Sequence, residues 1–275
     1  MKKFSKLLFG TPGIPGSSTK VDSLHGVKRV HELGLDAMEM EWVHQVPKNK
    51  EKIEDVGKMA SSLGVVLTCH APYYINLNSP EPAKKYASIY RIVNSAEMLQ
   101  LASGWSVCYH PGFYLKMDPK VVYKTMVKRF KAINLELKKK KIDIWVRPET
   151  TGKPTQFGSF DELLRICKEC NTLPVVDFSH VHARDNGGWN SKKEWVEMLS
   201  KMEKKLGRVA LDNMHIHISG IEYGEKGEKK HLILEESDLK WKDLLKVWKE
   251  FKLKGVCITE SPNLEEETLL IKKSY

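Results

Sequence analysis

A chain of 275 residues with 41% hydrophobic and 9% aromatic side chains has enough apolar material for a full core, which excludes a disordered or low-complexity protein. No stretch approaches the roughly 18 apolar residues of a membrane span, and Leu7-Leu8-Phe9 before Gly10 is too short for a signal peptide's apolar region, so a soluble, cytoplasmic protein is expected. The excess of 45 basic over 35 acidic residues, a net charge of +10, brings polyanions such as nucleic acid into view, although a solvated lysine-rich surface gives the same number. The five cysteines, at positions 69, 108, 167, 170 and 257, follow no disulfide framework and are expected to be reduced.

In chain order the pattern predicts a strand over 7–10, a helix over 20–33, a strand over 37–42 and a helix over 49–63. Strand 65–70 and helix 81–102 follow, then strand 105–110 and helix 118–140, then strand 142–149 and helix 160–170. The series closes with strand 173–177, helix 190–205, strand 214–218, helix 239–251, strand 255–259 and a last helix from about 264. Ser159 and Glu162 form a capping box for one helix, and Ser237-Asp238 precedes another. No linker or composition break divides the chain, so residues 1–275 are read as one domain. Strict alternation of strand and helix implies parallel strands with right-handed crossovers, and eight such units fit a closed (β/α)₈ TIM barrel better than an open doubly wound sheet. Gly10-Thr11-Pro12-Gly13 matches neither a dinucleotide turn nor a P-loop, so no nucleotide cofactor is indicated.

The carboxyl ends of six successive predicted strands carry His70, His110, Glu149, Asp177 with His180, His215 and Glu260. His, Asp and Glu together are about one residue in six, so chance does not fill six strand ends in a row. In a barrel those ends converge on the face where active sites are built. A lone His or carboxylate there is more often a hydrogen-bonded or capping group, but crowded carboxylates repel, and bound cations relieve that repulsion. Imidazole and carboxylate donors suit Zn²⁺, Mn²⁺ or Fe²⁺, and so many donors exceed one coordination sphere, pointing to two or three ions with Glu149 as bridge. Such a cluster activates water and clamps a phosphate ester, the chemistry of phosphodiester hydrolysis. His182 and His217, each two residues from a stronger candidate, are read as supporting or substrate-facing groups. Cys167 and Cys170, inside a helix, are read as structural, and Lys138 to Lys141 as a solvated helix end.

Cys69-His70-Ala71-Pro72-Tyr73-Tyr74-Ile75-Asn76-Leu77, Tyr109-His110-Pro111-Gly112, Pro148-Glu149-Thr150-Thr151-Gly152, Val176-Asp177-Phe178-Ser179-His180-Val181, Asn213-Met214-His215 and Ile258-Thr259-Glu260-Ser261-Pro262 stand in the order of one known family. The chain resembles endonuclease IV, the zinc-dependent apurinic/apyrimidinic endonuclease of the xylose-isomerase-like barrel superfamily, over nearly its whole length. The resemblance implies a first zinc on His70, His110 and Glu149, and a second on Glu149, Asp177, His215 and Glu260. It further implies a bridging hydroxide that cleaves the backbone of duplex DNA 5′ to an abasic site, by a monomer acting in base excision repair. A third ion would sit on His180, His231 and an aspartate that reads Lys229 here, the adjacent Glu228 substituting only with a shifted loop. Tyr73 and Tyr74 match residues that enter the minor groove at the lesion; no arginine matches the one the family uses after strand 2. Lys226, Lys229 and Lys230 are placed to meet phosphates. Two rival readings are a single-metal sugar-phosphate isomerase or epimerase of the same superfamily, and a basic barrel that binds damaged DNA without cutting it.

Overall fold

The computed structural model describes residues 2–275; Met1 lies outside the described residues. Eight parallel strands form one sheet curled into a TIM barrel: β1 (Leu7–Pro12), β2 (Ala37–Glu41), β3 (Val66–His70), β4 (Ser106–Tyr109), β6 (Trp145–Pro148), β8 (Val175–Asp177), β9 (Met214–Ile218) and β12 (Gly255–Thr259). The helices α1 (Ser23–Glu32), α2 (Lys50–Leu63), α3 (Pro82–Leu101), α4 (Pro119–Lys139), α5 (Phe160–Cys170), α7 (Lys192–Leu206), α9 (Trp241–Glu250) and α10 (Glu265–Ser274) surround it. A short α8 (Arg208–Leu211) leads into β9. All eight predicted strands and eight predicted helices are present, most within two or three residues of their expected bounds.

The ring is hydrogen-bonded in the order β6-β4-β3-β2-β1-β12-β9-β8. Its two ends meet through a single parallel bridge, Glu149 to Val175, just beyond the end of β6. Thr150 stitches that seam, its N–H donating to Val175 O at 3.1 Å and its hydroxyl accepting from the Asp177 N–H at 2.8 Å. Outward-facing strand residues pack under the helices in two large apolar clusters, one around Leu67, Val107 and Phe130, the other around Phe178, Trp195 and Trp248.

Three features lie outside the predicted elements. Asp177 caps a seven-residue helix, α6 (Phe178–Arg184), by accepting from the His180 N–H at 2.8 Å, so two site residues share one strand-to-helix junction. A hairpin, β10 (Gly220–Gly224) with β11 (Gly227–Leu232), rises beyond β9, and a smaller pair, β5 (Gly112–Phe113) with β7 (Gln156–Phe157), ties two loops together. The Ser237-Asp238 signal does not start a helix. Asp238 instead accepts from Tyr223 at 2.7 Å and bonds His182 at 3.0 Å, and α9 begins at Trp241.

Candidate metal centre

Alternation along each strand decides which side chains enter the barrel. On β9, Met214, Ile216 and Ile218 pack outward, leaving His215 and His217 to point in; on β2, Met38 and Met40 pack outward, leaving Glu39 and Glu41. The amino-terminal end of the barrel is filled by Ala37, Val66, Trp105, Val256 and Ile258. Above this lies a buried polar layer of Glu39, Thr68, Ser106 and His215, and above that an open bowl.

In the bowl His70 Nε2 and His110 Nε2 face one oxygen of Glu149, Oε2, at 3.3 and 3.2 Å. His217 Nδ1 faces the other, Oε1, at 3.0 Å, and also lies 3.2 Å from Glu260 Oε1. Ligand atoms of Glu149, Asp177, His217 and Glu260 all fall within 4.8 Å of one another. Glu149 thus stands between two donor sets, one on each oxygen. Burial alone would favour its neutral form, but His217 and His110 hold it well below the usual carboxylate range. Burial pulls His70 down in turn, and Glu149 with the acids of β2 carries it up to about 10.

A third corner lies beside α6. His180 Nδ1 bonds Thr150 O and His231 Nδ1 bonds Glu260 O, each at 3.0 Å, so the two Nε2 atoms are left facing each other at 3.4 Å. Glu228 Oε2 is 3.6 Å from His180 Nε2. Two opposed ring acceptors need one proton or one cation between them, and Glu228 supplies a carboxylate for the latter.

The residues present fit divalent cations. Glu149 Oε2, Asp177 Oδ2 and His110 Nε2 are buried atoms without a well-formed hydrogen bond, all turned toward the bowl's other donors. Nitrogen and carboxylate oxygens dominate the set, as Zn²⁺, Mn²⁺ and Fe²⁺ accept. One thiol lies within reach: Cys108 groups with His70 and Glu149, but burial pushes it well above its ordinary value, keeping it protonated.

Several sequence expectations change at this point. His215 sits one layer below the bowl, 3.0 Å from Ser106 Oγ and 3.1 Å from Glu39, and the place expected for it is filled by His217. His182 faces away, held by Gly188 O and Asp238. Lys229 and Lys230 lie on the outer side of the hairpin against Glu222, at 3.2 and 3.5 Å, not on the bowl side. The cause is a bulge: Glu222 pairs with Lys230 but Tyr223 pairs with Glu228, so Lys229 is the extra residue and Glu228 turns inward beside His231. Glu39 and Glu41 were not singled out from the sequence, and Glu228 entered only as the acid beside Lys229 that a shifted loop would bring in. The alternation Ala37-Met38-Glu39-Met40-Glu41 carried the signal for the first two, whereas nothing in the local sequence announced the bulge.

Tyr73 and Tyr74 stand at the rim, 61% and 62% exposed. Tyr73 lies against His44 and His70, and the Arg91 guanidinium from α3 lies 5.8 Å from the Tyr74 ring centre. A cleft of about 400 Å³ beside them is lined by His44, Lys48, Tyr74, Tyr90, Arg91 and Asn94, among others. No helix among the described residues is long and apolar enough to cross a membrane. All five cysteines are buried and unbridged.

The family model described as a xylose isomerase-like TIM barrel matches residues 27–274. An uncharacterized protein of Methanocaldococcus jannaschii is 41% identical over 277 aligned positions, covering 100% of this chain and 99% of that protein. A probable endonuclease 4 of Aster yellows witches'-broom phytoplasma is 27% identical over 174 residues, 61% of this chain and 59% of that protein. Among solved structures, endonuclease IV from Thermus thermophilus superposes with a TM-score of 0.72 at 18% identity, over 98% of this chain and 96% of that one. A D-tagatose 3-epimerase-like protein superposes at 0.69, also at 18% identity, over 97% and 94%.

Proposed function

Since the chain belongs to the xylose isomerase-like TIM barrel family, we propose that its bowl holds two or three divalent cations, zinc foremost, and hydrolyses the backbone of duplex DNA 5′ to an abasic site. The observation that carries this reading is the double-sided use of Glu149, with His70 and His110 on Oε2 and His217 on Oε1. A single-ion sugar isomerase leaves one of those sides without purpose. When bound, the ions would lower the pKa of water and offset the charge of a phosphate.

The chain's own residues do the rest. His70 Nδ1 bonds Ala71 O at 2.8 Å, which aims its Nε2 into the bowl. His70, His110 and Glu149 would hold one ion, and Glu149, Asp177, His217 and Glu260 a second. His180, His231 and Glu228 would hold a third, with Glu228 as its acidic ligand in place of the aspartate that reads Lys229 here. Tyr73 and Tyr74, exposed beside the bowl, suit insertion next to a missing base, where unstacked neighbours offer ring faces. The alignment with a probable endonuclease 4 over 174 residues supports the same class.

The test is incision of a duplex carrying one abasic site, alongside metal analysis of the purified protein. Cutting 5′ to the site should vanish on chelation and return with Zn²⁺ or Mn²⁺. Glu149→Gln should lose metal affinity by at least about 100-fold, and activity with it. A protein with one ion per chain, no affinity for DNA and no incision after metal is restored would instead be a sugar isomerase or epimerase.

A further inference from the structure

Beneath the bowl, a carboxylate is sealed inside the barrel. Glu39 is fully buried, inward-facing on β2, and receives two imidazoles: His217 Nε2 at 2.8 Å from Oε1 and His215 Nε2 at 3.1 Å from Oε2. A buried carboxylate is costly unless its oxygens accept hydrogen bonds. Ionised, it can only accept, so the two ring nitrogens that face it carry protons, His217 Nε2 in the shorter contact and His215 Nε2 in a poorly aligned one. His215 closes the chain on its other side, where Nδ1 accepts from the Ser106 hydroxyl at 3.0 Å. His217 has only one proton to place while neutral. With Nε2–H committed to Glu39, Nδ1 carries the proton it shares with Glu149 Oε1 at 3.0 Å only while the ring is a cation; once a divalent ion takes that proton's place, Nδ1 is the lone pair lying between Glu149 Oε1 and Glu260 Oε1.

We propose that Glu39 is a positioning residue that locks the His217 ring and tautomer so that Nδ1 serves as a cation ligand in the bowl. The inference rests on reading the bowl as a metal centre. A carboxylate behind a ligating imidazole orients the ring and raises its basicity. Here the carboxylate comes from inside the barrel, on a strand that sends no ligand to the cluster described above, and His215 shares it. His215, itself held by the Ser106 hydroxyl, therefore occupies the second oxygen of Glu39, with the Cys108 thiol 3.8 and 3.9 Å from the two oxygens, and together they keep the carboxylate from turning away from His217.

The test uses the full-length protein as wild type, Glu39→Gln and Glu39→Asp. Chelator-competition titration with Zn²⁺ gives the affinity of each site, mass spectrometry the ion count at saturation, and ¹⁵N-histidine NMR the protonated nitrogen of His217. Glutamine presents an N–H₂ where both imidazoles donate, forcing one of them to reverse its tautomer. The expected result is an Nε2–H His217 in loaded wild type, a loss of about 10- to 100-fold in affinity at one site in Glu39→Gln with the saturated ion count unchanged, and partial recovery in Glu39→Asp. An Nδ1–H His217 in loaded wild type overturns the proposal, and that readout stands even where a variant does not fold. Unchanged Zn²⁺ affinity in Glu39→Gln also overturns it. So does the loss of one whole ion with the other affinities intact, which would make Glu39, His215 and His217 a cation site of their own. Wild-type protein that binds no divalent cation at all would instead sink the metal reading itself.

Discussion

Glu228 and Lys229 are neighbours in sequence, yet the bulge sends one toward His180 and the other toward Glu222. Exposed ion pairs contribute about 0 to 1 kcal/mol, so Lys229→Ala should leave both stability and metal content unchanged. If the bowl is loaded as proposed, Glu228→Gln should remove the third ion, read as a drop in zinc stoichiometry after mild dialysis, while any ions on Glu149 stay. Glu41, open to solvent yet set within the concave mouth, offers a pH-dependent counterpart. The walls of that mouth strip part of its hydration and raise its carboxyl, to about 8, with Glu39 and Glu260 adding to the rise and His70 opposing it. The folded apo protein then binds a proton between pH 4.5 and 8 that the unfolded chain releases, so stability falls as pH rises across that window. In thermal melts with chelator, Glu41→Gln should match wild type near pH 4.5 and melt higher at pH 8. Residue by residue, the strand-end donors were legible because acids and histidines recur there in order. His217 was passed over for His215 because a short motif was weighed above the two-residue period, which places both inside the barrel and His217 nearer the bowl.

At the scale of elements, the turn between β10 and β11 decides where Glu228 can go. Gly227 has φ +82°, and a Cβ there would strike the carbonyl of Gly152, so only glycine lets the two loops touch. A Cβ on Gly152 would in turn meet Glu228 Cβ at 2.6 Å. Gly227→Ala should therefore cost about 1–3 kcal/mol in backbone strain alone, measured by denaturant unfolding, and should weaken binding of the ion proposed near His231. Helix α6 and this hairpin were the elements the sequence did not disclose. Seven residues are too few to show a helical period, and the hairpin's Gly-Glu-Lys-Gly-Glu-Lys-Lys stretch lacks the alternation of a half-buried strand. The barrel strands were easier to find because they are short runs bounded by turns, either largely apolar, as in β3 and β12, or strictly alternating, as in β2 and β9, and helices such as α5 carry a clear apolar stripe.

For the molecule as a whole, the seam between β6 and β8 stands apart from the other joints of the ring. Seven strand pairs are zipped by continuous ladders, whereas this joint rests on one bridge and the Thr150 hydrogen bonds. Glu149 and Asp177, the two acids expected to share a cation, stand on opposite lips of that gap. Whatever grips both would act as a clasp on the one unfastened stave of the cask. Loading with zinc should then slow amide hydrogen exchange at Thr150 and Asp177 by an order of magnitude or more relative to apo protein, and leave exchange on the β1–β2 side untouched. A cell short of metal would accordingly hold a cask that breathes at its mouth, and the same ion that arms the bowl would be the one that shuts it.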